Sequence, residues 1–336
     1  MFLSRTVSLS DFSSTAEARR AGALMAASLG LNETKAGETA IVITEAARNA
    51  VVYGGGGQLL LSGTRSKNET RMDIVALDRG PGIADLARAL QDGYSTGGTP
   101  GTGLGAIKRM AEVFDIFSNA KGTAIFARIE QPENGSQMRK SPVELARLVS
   151  PITGEKVCGD NVAWEINGDR CIALVVDGLG HGPLAAEAAD EAVRVFRLHS
   201  SESPTSLITR MHDALKKTRG AAAAVAEVRT LAGTLVYAGV GNISGSILSN
   251  TLSRSLISHN GTLGHVMSRV QEFKVEWPKD GILVMHSDGL QSRWDLSRYP
   301  GLLARRPALI AGVLLRDFRR ERDDASVLVL KGAASL

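Results

Sequence analysis

Apolar positions recur along this chain with two different periods, and the places where the period changes outline its elements. In the Ala-rich stretches 15–29 and 33–52 they return every three or four residues. That predicts two amphipathic helices, with Ser14 and Asn32 placed as their caps. Runs 58–63 and 71–77 are short and apolar and read as strands, the second ending on Asp78. A helix near 83–90, the glycine-rich stretch QDGYSTGGTPGTG, a helix over 104–113 and strands at 114–118 and 123–130 complete the first half. The second half opens with strands 162–167 and 171–176 around the turn signal Asn167–Gly168–Asp169. Helices 183–198 and 204–217, strands 222–229, 234–240, 245–249 and 282–287, a helix over 301–317 and a strand at 325–331 follow. Two hairpin-rich sheets with paired helices make the expected class α+β.

Between the halves, QPENGSQMRKS at 131–141 has no apolar period and joins Pro, Asn, Gly and Ser to charged residues. The expected organisation is therefore a domain over 1–131, a linker over 132–141 and a second domain over 142–336, which suits a chain of 336 residues. With 43% hydrophobic and 22% charged residues it reads as an ordinary soluble globular protein. No apolar run approaches the ~18–20 residues of a bilayer span, and the start MFLSRTVSLSDF lacks a basic segment followed by an apolar one. Two cysteines, Cys158 and Cys171, are too few for a disulfide framework or a four-thiolate zinc site, so a reducing cytoplasm is expected. The net charge is +4, but residues 1–131 carry 14 basic against 13 acidic side chains and no Lys/Arg cluster stands out later. Without a basic stripe to displace counterions, nucleic acid is excluded as a partner.

Chemistry gathers at four places in the first half. Glu45 and Asn49, in ITEAARNAVVYG, are four apart and share a helix face, so a carboxylate can act as general base beside an amide oxygen that ligates Mg²⁺. In DRGPGI, Asp78 at a strand end can accept the amino hydrogen of adenine while Gly80 and Gly82 let the backbone approach the base. GTGLG, with Gly101, Gly103 and Gly105, opens a helix whose amides can face a triphosphate. Thr123, after Gly122, sets a hydroxyl at the base end of such a pocket. Each piece alone is a solvated helix face or a turn; their order and spacing together point to nucleotide binding. That order resembles the GHKL ATPase superfamily, and ARNAVVYGGGG, QDGYSTGG, LGAIKRMAEVFDIFS and KGT resemble its RsbT/RsbW group of serine kinases. The resemblance covers about residues 5–130. It implies a Bergerat-type α/β sandwich in which Glu45 activates the acceptor serine, Asn49 holds Mg²⁺, Asp78 binds adenine and the three glycines form the ATP lid.

In the second half, Asp160, Asp177, Asp288 and Asp323 stand at the ends of apolar strands. One such Asp starts a turn; several converging suggest a site for Mg²⁺ or Mn²⁺, because burying carboxylates is costly unless they meet a cation. Two metals bridged by one carboxylate suit hydrolysis of a phosphomonoester. VVDGLGHG, GVGNISG, HNGTLGH, LVMHSDGL and RDDASVLVL resemble the PPM serine/threonine phosphatases, in particular the SpoIIE/RsbX branch, over about 142–332. The resemblance implies a PPM-type αββα sandwich and a binuclear centre. Asp177 would bridge the metals, Gly178 would offer its carbonyl, and Asp288 and Asp323 would complete the second position, Asp323 being preferred to Asp324. Asp160 is expected near the site, Asn242 and Asn260 shape it, and His181 is either a helix-start surface residue or an acid near the site. Cys158, beside the acids but without a base partner, is expected to be structural.

Together these imply a cytoplasmic bifunctional regulator: an ATP-dependent serine kinase fused to a Mg²⁺- or Mn²⁺-dependent serine/threonine phosphatase. The implied partner is a STAS-domain anti-sigma-factor antagonist or stressosome protein, with a further switch protein as a second candidate. In the alternative reading the first half binds nucleotide only to sequester or activate a partner, and only the second half is an enzyme.

Overall fold

A computed structural model describes the chain apart from residues 1, 67, 92–102, 134–140, 250, 268–269 and 334–336. Most of the expected linker therefore lies outside the described residues. The chain forms two compact units, Met1–Lys140 with Leu296–Arg305, and Ser141–Asp295 with Arg306–Leu336.

The first unit contains β1 (Phe2–Leu9), α1 (Phe12–Leu29), α2 (Glu33–Val52), β2 (Gly57–Arg65), β3 (Glu69–Asp78), α3 (Leu86–Ala89), α4 (Gly103–Met110), β4 (Val113–Asn119) and β5 (Gly122–Pro132). Its five strands form one antiparallel sheet in the order β1-β2-β3-β5-β4. Helices α1, α2 and α4 cover one face, and the core between is built from Val7, Leu29, Ile43, Leu59, Ile74, Ile107 and Ile125. Two local expectations change. Asp11, not Ser14, caps α1: its carboxylate accepts from Ser14 N while the Ser14 hydroxyl reaches back to Asp11 N, a reciprocal capping box. The helix expected over 83–90 is the single turn α3, capped by Asp85.

The second unit is a four-layer sandwich. One sheet has the order β15-β10-β9-β8-β7. Its strands are β7 (Asp160–Asn167), β8 (Arg170–Gly178), β9 (Ala221–Arg229), β10 (Thr234–Val240) and β15 (Phe273–Glu276). The other sheet has the order β12-β11-β16-β17-β6. It is built from β6 (Val143–Ser150), β11 (Ser244–Leu248), β12 (Ser253–Leu256), β16 (Ile282–His286) and β17 (Ala325–Gly332). A small hairpin, β13 (Gly261–Thr262) with β14 (Val266–Met267), adjoins β9.

The period-two alternation of β8 shows how these layers form. Cys171, Ala173 and Val175 point between the sheets toward Tyr237, Leu283 and Leu328, while Ile172, Leu174 and Val176 point outward. Against that outer face lie α5 (Pro183–His199) and α6 (Pro204–Ala214), while α7 (Pro307–Phe318) covers β6 and β17 on the other side. The helix expected over 301–317 begins only at Pro307, because proline suits the first helical position and holds Arg306 before it in extended backbone. Among the described residues no helix is long and apolar enough to cross a membrane.

Candidate functional site

In the first unit the helical repeat sets Glu45 and Asn49 one turn apart on α2, both half-buried. Gly103, at the start of α4, packs against them. A Cβ there would stand 2.8 Å from Glu45 Oε2 and 3.6 Å from Asn49 Oδ1, so a larger residue would fill the space beside the pair. Asn49 Nδ2 is buried without a hydrogen-bond partner, a donor directed at the same space. At the end of β3, Asp78 is buried, and its Oδ1 accepts from Gly80 N at 2.9 Å and Thr123 N at 3.0 Å, which fixes the carboxylate from both sides. The Thr123 and Ser118 hydroxyls are 3.0 Å apart, and Ile83 N donates to Ser118 Oγ at 2.8 Å. Gly80 and Gly82 lie where backbone crosses backbone: a Cβ would come within 2.7 Å of Tyr53 O and 2.2 Å of Asn119 O respectively. Gly105 is buried within α4, whereas Gly101 lies outside the described residues. Thus the Glu45–Asn49–Gly103 and Asp78–Gly80–Thr123 groups each come together. Ser118, which sequence reasoning missed, joins the second through strand pairing alone.

In the second unit the register of β7 and β8 sets Asp160 opposite Asp177 at one end of the first sheet. Asp288, just beyond β16, and Asp323, just before β17, come from the same end of the other. Asp160 is 4% exposed and its Oδ2 has no hydrogen-bond partner. Burial is the first cause that raises its pKa, opposed by the nearby Ser287 and Ser326 hydroxyls and reinforced by Asp324 and Asp323. Asp177 is likewise raised, first by burial and then by the charges of Asp160, Asp288 and Asp323, and when protonated it donates to Asp288. Asp323 is raised by burial and by Asp288. Carboxylates that destabilise one another's charge suit a divalent cation bound by oxygen donors. The donor set therefore fits the implied metal. Among the described residues, however, no three His, Cys, Asp or Glu side chains already form a metal cage.

The two neighbouring aspartates have separate surroundings. Asp324 is 2% exposed, and its two oxygens accept from Ile152 N at 2.7 Å and Gly159 N at 2.6 Å, so it ties down the loop before β7. Asp323 is left toward Asp288. Gly178 packs against Ala185 O, leaving no room for a side chain. Asn242 donates from Nδ2 to Asp288 Oδ2 at 2.7 Å, a direct role in orienting that carboxylate. His286, two residues before Asp288, is buried, and burial lowers its pKa. Its Nδ1 donates to Ser287 O at 2.7 Å and its Nε2 accepts from Trp294 Nε1 at 3.0 Å, so the neutral ring is held in one tautomer. No sequence signal had singled out His286 or Trp294. Both line a cavity of about 350 Å³ that also reaches Asn242. His181 is exposed and 3.2 Å from Glu155 Oε1. The Cys158 thiol is raised by burial and then by Asp160 and Asp324, which keeps it protonated and unreactive.

Known proteins divide along the same two halves. Residues 10–129 match the histidine kinase-like ATPase domain, and residues 167–332 match stage II sporulation protein E. The serine/threonine-protein kinase RsbT of Bacillus subtilis (strain 168) is 36% identical over 111 residues, 33% of this chain and 84% of RsbT. The phosphoserine phosphatase RsbX of the same organism is 27% identical over 140 residues, 41% of this chain and 69% of RsbX. Among solved structures, a chain from a study of the bacterial stressosome as a modular system adapted to control secondary messenger signalling superposes with a TM-score of 0.53. It is 28% identical and covers 56% of this chain and 99% of its own. RsbX in complex with magnesium also superposes with a TM-score of 0.53, covering 58% of this chain and 98% of its own; at 22% identity it supports the fold. The chain therefore belongs to the RsbT family through its first half, joined in one polypeptide to a SpoIIE-type PPM phosphatase domain related to RsbX.

Proposed function

We propose that this chain is a cytoplasmic bifunctional regulator that adds phosphate to a partner protein from ATP with its first domain and removes phosphate with its second. The observation that carries the reading is that both constellations occur in one chain: Glu45 and Asn49 beside Gly103 in one unit, and Asp160, Asp177, Asp288 and Asp323 gathered at the ends of the two sheets in the other. The proposed domain limits are 1–131 and 142–336, joined by 132–141.

In the kinase half, Asp78, oriented by Gly80 N and Thr123 N, accepts from the adenine amino group. Asn49 would hold Mg²⁺ through its amide oxygen, and Glu45 would take the proton from the acceptor hydroxyl as the γ-phosphoryl group passes to it and ADP leaves. Gly80 and Gly82 let the backbone approach the base, and Gly101, Gly103 and Gly105 are the proposed lid glycines. In the phosphatase half, Asp177 would bridge two divalent ions, Mg²⁺ or Mn²⁺, with Gly178 O, Asp288 and Asp323 completing the ligand set. Those ions would supply Lewis acidity toward a phosphomonoester and its attacking water. Asn242 holds Asp288 in orientation, and Asp160 adds negative charge behind the site.

The proposed partner is a STAS-domain anti-sigma-factor antagonist or stressosome protein, as the kinship with RsbT, RsbX and a stressosome chain suggests. The test uses purified full-length chain. Mn²⁺- or Mg²⁺-dependent hydrolysis of p-nitrophenyl phosphate should be lost in EDTA and in Asp177→Asn. Transfer from ATP to a STAS protein should be lost in Glu45→Ala. Activity surviving in chelator would overturn the phosphatase assignment, and absence of transfer by the wild-type chain would leave the first half a nucleotide-binding module.

A further inference from the structure

A phosphatase site lined by four aspartates must still attract a dianion, and one cation at its edge has no other evident task. Arg219 lies in the turn between α6 and β9, and its guanidinium packs over the turn that follows Asp177: Nη1 is 3.2 Å from where a Cβ on Gly180 would stand. The backbone around Arg219 is fixed on both sides. Its carbonyl accepts from His265 Nε2 at 2.9 Å, and the carbonyl of Gly220 accepts from Leu179 N at 3.0 Å. Gly220 itself has a left-handed φ of 79°, and a Cβ there would stand 2.6 Å from Leu263 O, so this tight turn needs glycine. Leu179 and Gly180 immediately follow the Asp177–Gly178 pair, so these bonds tie the arginine's turn to the loop leaving the acid cluster.

Three other basic groups at this end face groups of their own. Arg319 is half-buried and donates to Ser150 Oγ and Pro151 O. Arg320 sets its charge against Asp323. His181 faces Glu155. Among the described residues the Arg219 guanidinium has neither an ion pair nor a side-chain hydrogen bond, and none of the four acids is paired with it. Guanidinium is planar and weakly hydrated, and its forked donors match a phosphate oxygen pair.

We infer that Arg219 is the phosphate-recognition residue of the phosphatase site, donating to the non-bridging oxygens of the substrate's phosphoryl group as it settles over Asp177 and Asp288. This rests on the phosphatase reading above and adds to it the residue that selects a phosphomonoester dianion. The aspartates hold cations; Arg219 offsets the negative field that would otherwise repel the substrate.

The probe is inorganic phosphate, the reaction product, titrated by calorimetry into Mg²⁺-loaded full-length chain. Arg219→Ala should weaken phosphate binding by roughly ten- to a hundredfold, the usual range for a charge-assisted hydrogen bond. KM for phosphorylated partner should rise similarly, with a smaller loss in kcat, while the Mn²⁺ concentration for half-activation and the melting temperature stay at wild-type values. Arg219→Lys should recover part of the affinity, since an ammonium keeps the charge but loses the fork. Unchanged phosphate affinity in a folded, metal-activated Arg219→Ala protein overturns the inference, as does the same loss in Arg320→Ala but not in Arg219→Ala. A wild-type chain that hydrolyses no phosphoester with either metal would instead overturn the phosphatase reading itself.

Discussion

Asp323 and Asp324 are adjacent in sequence, and their replacement should give opposite phenotypes. Asp324 receives two backbone N–H groups, Ile152 N at 2.7 Å and Gly159 N at 2.6 Å, at a site where it is 2% exposed. Asp324→Ala removes two charge-assisted bonds and leaves two donors to be resolvated. At ~1.5–3 kcal/mol for each bond, the loss is about 3–6 kcal/mol. Set against the ~5–15 kcal/mol that holds a typical domain together, that is a large fraction. At ~2–4 °C per kcal/mol for a domain of this size, the melting temperature should fall by roughly 10–20 °C. Asp323 makes no such bonds to the loop before β7 and feels the like charge of Asp288. Asp323→Ala should therefore change melting in EDTA by under about 0.5 kcal/mol equivalent, while abolishing metal-dependent hydrolysis. Calorimetry in EDTA and p-nitrophenyl phosphate turnover with Mn²⁺ read the two effects separately. A stable but inactive Asp324→Ala, or a destabilised Asp323→Ala, would refute the separation of these neighbours into clamp and ligand.

Two further outcomes follow from the same geometry. Burial and mutual repulsion raise Asp160 and Asp177 above the ordinary aspartate value of 3.8, so the metal-free folded chain binds more protons than the unfolded chain above that pH. Metal-free stability should fall as pH rises from about 5 to 8, and saturating Mn²⁺ should abolish that part of the slope; identical slopes in EDTA and Mn²⁺ would contradict it. Asp78→Asn replaces a carboxylate held by two backbone donors and should weaken ATP binding by about 1–3 kcal/mol, seen by calorimetry, with phosphatase turnover unchanged.

Much of this architecture was legible because period and chemistry coincide. Asn32 caps α2 as expected, and the alternation in β8 sorts its residues between sheet interior and helix layer. What was missed has physical causes. Strand β1 buries only Val7 and Leu9, because it is an edge strand with a solvated side, and its pattern is too weak to read. Strand β6 contains Arg147, and β12 is almost wholly exposed, so neither shows a clean alternation. The acids were visible because each ends an apolar strand, but their grouping depends on strand register: Asp160 meets Asp177 through β7–β8 pairing. The Trp294–His286–Ser287 chain carries no local signal, since its members meet only when the loop after β16 folds back. Asn242 was readable as a loop residue, yet its bond to Asp288 appears only once the two loops are in place.

In the proposed function one chain both writes and erases phosphate on the same partner. The most direct measurement is phosphate occupancy of a purified STAS partner by intact mass, with full-length chain, ATP, Mg²⁺ and Mn²⁺. The wild type should hold a partial plateau while continuing to consume ATP. Asp288→Asn should drive the partner toward full phosphorylation, and Glu45→Ala should strip a pre-phosphorylated partner completely. A plateau that does not move in Asp288→Asn would mean that the phosphatase half serves a different phosphoprotein.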